Sequence, residues 1–187
     1  VIARSVAFVP RLKVAPARLG SNVRLHLHTR GALSNLFVEP LLSLPCLEHD
    51  EVLLLVRSVG LNFRDVLNIL GEYPGDPGPP GADFAGLISH DSMLASGGAV
   101  FGLGRAPLAS LARAPACLLA QQPTALSLEQ ACTLPSTWST AHVCFERYGI
   151  YADLNVIVQA AVGGVGLKAV EYVHFLRGRV IGTAGQP

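Results

Sequence analysis

Three glycines late in the chain carry the clearest chemical signal. The run Val156-Ile-Val-Gln-Ala-Ala-Val-Gly-Gly-Val-Gly-Leu167 passes from β-branched apolar residues into a glycine-rich turn, and residues at helical spacing follow. Gly163 permits a tight turn, Gly164 keeps the loop free of side-chain bulk, and Gly166 lets the helix approach the strand. Backbone N–H groups at the start of that helix can then face an anion. This is how a βαβ unit holds the pyrophosphate of a dinucleotide. A second strand candidate at 179–184 follows the helix, which places the dinucleotide reading above that of a purely structural glycine turn. The expected cofactor-binding residues here are Ala161, Gly163, Gly164, Val165, Gly166 and Thr183.

Ala161 stands where the G-x-G-x-x-G template has its first glycine, and it is tolerable if its φ stays negative. Near the end of the second strand, where a ribose-binding carboxylate would sit, the chain reads Gly182-Thr-Ala-Gly-Gln186. A carboxylate would repel a 2′-phosphate, so its absence favours NADPH over NADH.

The elements needed to position this loop can be read from the pattern. Strand candidates are 5–9, 23–27, 36–38, 51–57, 84–88 and 99–103. Residues 62–71 have apolar side chains at helical spacing, with Gly71 placed as a stop. The stretch Tyr73-Pro-Gly-Asp-Pro-Gly-Pro-Pro-Gly81 can only be a loop. Ser127 and Gln130 form a capping-box pattern for a short helix from Leu128, and 140–147 reads as a helix ended by Gly149. A strand-rich part of about 140 residues thus precedes the beginning of a βαβ part, which suggests two domains. One helix and two strands cannot cover both faces of a doubly wound sheet, so the reading is of a piece of a longer protein.

Composition sets the outer limits. Of 187 residues, half are hydrophobic and 14% are charged, enough to bury a sizeable core. A net charge of +1 gives no electrostatic reason to expect nucleic acid or an anionic membrane. No apolar run reaches transmembrane length, and 1–16 lacks a signal-peptide core. Cys46, Cys117, Cys132 and Cys144 are isolated and read as reduced thiols of a cytoplasmic protein. His26 and His28 alternate with Leu25 and Leu27, as on the solvated face of a strand.

Several stretches resemble the medium-chain dehydrogenase/reductase superfamily, and more closely the enoyl reductase domains of type I polyketide synthases and the animal-type fatty acid synthase. They are Ser58-Val-Gly-Leu-Asn-Phe-Arg-Asp-Val-Leu-Asn-Ile-Leu-Gly-Glu-Tyr-Pro-Gly75, Gly81-Ala-Asp-Phe-Ala-Gly86, Leu126-Ser-Leu-Glu-Gln-Ala-Cys-Thr-Leu-Pro135 and Gln159-Ala-Ala-Val-Gly-Gly-Val-Gly166. The pieces Phe8-Val-Pro-Arg-Leu12 and Gly31-Ala-Leu-Ser-Asn-Leu36 are similar to the lead-in of synthase domains, which free-standing quinone reductases usually lack. The resemblance implies a lead-in over 1–20, a GroES-like, partly open β-barrel substrate domain over 21–138, and the N-terminal part of a Rossmann-type doubly wound domain over 139–187.

It further implies hydride transfer from NADPH to C3 of a trans-2-enoyl thioester held on an acyl carrier protein, with a proton delivered to C2. Tyr73 matches a candidate proton donor; the alternative is an aromatic packing the loop onto the core. Asn62 is implied beside the nicotinamide, as a donor to cofactor or substrate. Asp65 falls on the same segment as a further catalytic candidate, though capping or orienting backbone is an equal reading, and Arg64 is implied to be solvated or paired with it. His142 stands where a tyrosine is common, stacking near the cofactor or, more in keeping with its surroundings, lying in the core. Zinc is not expected. Zinc-dependent relatives carry a cysteine where this chain has Asn62 and Gly-His-Glu where it has Gly81-Ala-Asp83, and thiolate or imidazole ligands are needed. Gly97-Gly98 departs from the usual Gly-Asp, and further candidate acids would fall beyond Pro187, so these residues alone are not expected to turn over. Neighbouring synthase domains and a homodimer are the implied partners. A free-standing NADPH:quinone reductase and a non-catalytic remnant are the competing readings.

Overall fold

The computed structural model describes residues 22–43, 46–89 and 97–185. The expected strand at 5–9 and the lead-in motif at 8–12 lie outside them. The first part is antiparallel. β1 (Val23–Leu27) and β2 (Leu36–Pro40) form a hairpin. β3 (Glu51–Gly60), β4 (Asp83–Ile88), β5 (Ala99–Leu103), β6 (Leu111–Pro115) and β7 (Leu119–Gln121) form a sheet in the order β6-β3-β4-β5-β7. β3 lies inside the sheet between β6 and β4, and the first half of its apolar run, Val52 to Leu54, is buried. Val52 and Leu54 pack with Phe84, Val100 and Ala114.

The sheet curls into a half-barrel of the GroES-like type, and the cause is local. The β3–β4 register shifts between Val56 and Ser58, a bulge that bends the strand. On β4, a side chain at Gly86 would meet the Leu55 carbonyl at 2.2 Å, and on β5 one at Gly102 would meet the Leu118 carbonyl at 2.1 Å. Glycine at these points lets neighbouring strands close up.

Between β3 and β4 lies α1 (Phe63–Leu70). Gly71 ends it with φ 76°, the left-handed conformation expected of a helix stop. α2 (Leu128–Ala131) is one turn, capped by Ser127 and Gln130 as the sequence predicts. α3 (Pro135–Arg147) begins five residues before the expected start. Pro135 opens the helix instead of preceding it, because a missing N–H costs nothing in the first turn. The expected domain boundary at 138/139 thus falls inside α3.

The second part is parallel. β8 (Asn155–Val158), α4 (Gly164–Phe175) and β9 (Arg179–Gly182) form one crossover unit. Its inner side is apolar: Ala141 and Phe145 of α3 pack with Val158 and with Ala169 and Val173 of α4. The other side of the strand pair is open, with Ile157 68% and Ile181 62% exposed. Among the described residues no helix is long and apolar enough to cross a membrane.

Candidate active site

Asn62 is the N-cap of α1, with extended backbone (φ −109°, ψ 161°). One oxygen of Asp65 accepts the Asn62 N–H at 2.8 Å, and the other accepts the Gly81 N–H at 2.8 Å. Asp65 is only 4% exposed, so both of its oxygens are committed to backbone in the interior. It ties the start of the helix to the end of the proline-rich loop. A buried carboxylate at a helix N-terminus is also favoured by the macrodipole.

That loop is fastened along its length. The Arg64 guanidinium lies over the Tyr73 ring at 5.5 Å and donates to the Pro77 carbonyl at 2.7 Å. Arg64 is thus neither simply solvated nor paired with Asp65. Tyr73 is half-buried. Fully buried Asn68 donates from Nδ2 to the Gly78 carbonyl at 3.0 Å and accepts from Arg30 Nε at 3.0 Å. Arg30 also reaches Asp76 at 2.9 Å from the β1–β2 hairpin. The Gly78 N–H, and then the Arg30 guanidinium, hold the Asp76 carboxyl below its ordinary range. Arg30, Asn68 and Asp76 are supports of the loop that sequence reading missed. Only the Asx-turn pattern Asp76-Pro-Gly78 offered a signal.

The second cluster surrounds the glycine turn. The Ala161 N–H donates to the Thr183 carbonyl at 2.8 Å, and the Thr183 N–H to the Val158 carbonyl at 2.9 Å, so the end of β9 is laced to the turn. The left-handed residue is Ala160, with φ 50°, not Gly163, whose φ is −76°. Gly163 is therefore not the residue that makes the turn tight; Ala160 is, and Ala161 keeps the negative φ expected of it. Gly166 lets the helix close on the turn that follows β8 and not on the strand itself. A side chain at Gly166 would lie 2.2 Å from the Ala160 carbonyl and 2.8 Å from Ala161 Cα. Gly163, Gly164 and Val165 are exposed at the mouth of α4, where first-turn amides have no acceptor within the helix. An exposed run of backbone donors at a helix start fits a pyrophosphate.

The two clusters are joined through α3. Asp83 at the start of β4 is 1% exposed and accepts from both the backbone N–H and the hydroxyl of Ser136. The next residue, Thr137, faces the glycine turn: its methyl would be 3.5 Å from a Cβ at Gly164. Beside Asp83, a side chain at Gly60 would strike the Cys132 carbonyl at 2.1 Å. Burial pushes the Cys132 thiol up to about 11, and the Asp83 and Glu129 carboxylates add to the effect.

His142 does not lie in the core. Its Nδ1 meets the Tyr172 hydroxyl at 2.9 Å and its Nε2 meets Glu146 at 3.3 Å, on the exposed surface between α3 and α4. All four cysteines are free thiols. Among the described residues no three His, Cys, Asp or Glu side chains converge as a metal site.

No family model matches the chain. It is 34% identical to erythronolide synthase EryA2 of Saccharopolyspora erythraea over 186 residues, 95% of this chain and 5% of that one. It superposes on the CurK enoyl reductase with a TM-score of 0.78 and 31% identity, covering 88% of this chain and 55% of that one. Mycobacterial Rv1454c complexed with NADPH gives 0.75 and 26%, over 89% and 53%. The chain spans about half the length of these solved structures and between 3% and 11% of the curated synthases it matches. The half-barrel, the α1 cap, the glycine cradle and these likenesses agree: the chain belongs to the quinone oxidoreductase-like enoyl reductases of the medium-chain dehydrogenase/reductase superfamily, the region found in type I polyketide synthases.

Proposed function

We propose that the polypeptide carrying this chain reduces the C2=C3 double bond of a trans-2-enoyl thioester on an acyl carrier protein, using NADPH and no zinc. One observation carries the reading. A single chain that matches synthases over most of its length holds both an α1 cap clamped to the Tyr73 loop and a glycine-lined cradle of exposed amides. NADPH, when bound, supplies the hydride for C3. The amides at 164–166 would hold its pyrophosphate, with Ala161 and Thr183 fixing the edge of the cradle.

Addition at C3 leaves negative charge on the thioester oxygen, which needs a donor already in place. Asn62, half-buried at the helix start, supplies it. Asp65 is a positioning residue: it holds the Asn62 backbone and does not itself meet the substrate. The Tyr73 hydroxyl gives its proton to C2. Arg64 holds the ring and the following carbonyl in fixed relation. Neighbouring synthase domains, which the relatives' much greater length supports, would bring the acyl carrier.

The test is NADPH oxidation by a polypeptide extended to the length of a solved enoyl reductase, with a short enoyl thioester and a quinone side by side. The thioester is the expected acceptor, and Tyr73→Phe lowers its turnover by about a hundredfold, the low end for a general acid. Preference for the quinone assigns a quinone reductase instead. Turnover of neither leaves a non-catalytic scaffold.

A further inference from the structure

The proposed reaction needs two separate pieces of backbone in register: the cradle that holds the cofactor and the α1 cap that holds Asn62. Among the described residues no hydrogen bond joins them directly. They meet through the first turn of α3. On one side Asp83 receives the Ser136 N–H, at 3.1 Å, and the Ser136 hydroxyl. On the other side the Thr137 methyl faces Gly164 of the cradle, 3.5 Å from where a Cβ would stand, and Ala141 and Phe145 of the same helix pack against Ala169 and Val173 of α4. The Asp83 end is itself fixed to the α1 cap. Gly60, two residues before Asn62, pairs with Asp83 in the β3–β4 ladder, and a side chain at Gly60 would lie 3.1 Å from Asp83 Cβ.

We propose that Asp83, acting through Ser136, is a positioning residue that sets the cofactor cradle in register with Asn62. The proposal rests on the enoyl reductase reading for its catalytic consequence, but not for its structural one. Three features support it. The carboxylate is buried to 1% exposure, yet its hydrogen bonds go to one residue of the other part of the chain. It sits at a helix N-terminus, where negative charge is held most firmly. The contact on the α1 side leaves no slack: the Gly60–Cys132 approach forbids even a methyl group. A shift of α3 would therefore move Gly164 relative to Asn62, and hydride transfer is sensitive to displacements of about 1 Å.

The test compares the extended polypeptide with its Asp83→Asn, Ser136→Ala and Ser136→Thr variants. Ser136→Ala lowers kcat by about tenfold or more, with the KM for NADPH within about twofold and a larger isotope effect from 4-deuterated NADPH. Asp83→Asn behaves in the same direction, and Ser136→Thr, which keeps the hydroxyl, restores the rate. Unchanged kcat and isotope effect beside a lower melting temperature would overturn the proposal and leave a stability role. A second readout needs no turnover. Added NADPH raises hydrogen-exchange protection at 164–166 in all variants, but at 83–85 only where the joint is intact. An equal rise at 83–85 in Ser136→Ala would overturn the proposal whether or not the thioester is a substrate. If the joint passes this second test while the wild type ignores the thioester, the substrate reading alone has failed.

Discussion

Gly166 and Ala160 approach so closely that a methyl group at 166 would lie 2.2 Å from the Ala160 carbonyl oxygen. The helix meets the turn backbone to backbone. Gly166→Ala must push α4 off the turn, at about 1–3 kcal/mol, the usual range for overpacking. NADPH binding, followed by its fluorescence, is expected to fall with the melting temperature. Gly164→Ala is the control, since its nearest contact would be the Thr137 methyl at 3.5 Å. It should leave the fold intact.

Asp65→Ala strands two backbone donors, the N–H groups of Asn62 and Gly81, in the interior. The expected loss is about 2–3 kcal/mol, since hydrogen bonds to a charged group are among the stronger ones. Urea denaturation measures it. Asp65→Asn keeps one acceptor and loses less. A catalytic carboxylate would show the reverse order of severity, with Asp65→Asn abolishing turnover while stability held.

The Asp76 carboxyl is held below 3.8 by the Gly78 N–H and by Arg30. Its folded value is depressed, so the stabilisation is present above the unfolded value. It is lost as the pH falls through the folded one, that is, below 3.8. Carboxyl carbon shifts in an NMR titration are expected to place Asp76 below 3.8 in the wild type. In Arg30→Gln the value should move upward without returning fully, because the Gly78 N–H still lowers it.

The thiols should sort into two groups. Cys46, Cys117 and Cys144 are exposed, whereas Cys132 is buried with its thiol raised to about 11. At pH 8 a thiol reagent should modify the three quickly and Cys132 only on unfolding, because the thiolate is the reactive form. The sign for stability follows. The folded value exceeds the ordinary 9.0, so the contribution is full below 9.0 and is lost as the pH rises towards 11. Fast modification of all four would refute the burial.

Much of this was legible in the sequence where local chemistry and tertiary context agree. β1 and β5 fall on their expected spans. The α1 stop at Gly71 and the Ser127 cap are encoded in single residues with one favoured conformation. β6 and β7 were not legible. The first reads Leu-Ala-Arg-Ala-Pro and the second is three residues long, and neither has strand propensity of its own. Pairing with β3 and β5 makes them strands. At the site, the resemblance named Asn62, Asp65 and Tyr73 as candidates, but nothing in the sequence pointed to the clamp from Arg30: it spans 38 residues to Asn68 and follows no periodicity. Arg64 was read as solvated or paired with Asp65, and Ala160 was passed over because glycine is the residue expected at positive φ.

The open side of the β8–β9 pair has a practical consequence. Ile157 and Ile181 face outward side by side, on strands whose register pairs them. Among the described residues, each strand has one ladder edge without a neighbour in its sheet. An exposed apolar face beside unpaired edges is a template for adding further strands. Produced as these 187 residues alone, the polypeptide should self-associate as its concentration rises. Charged residues at 157 and 181 would suppress that association, and would do so without touching the cradle.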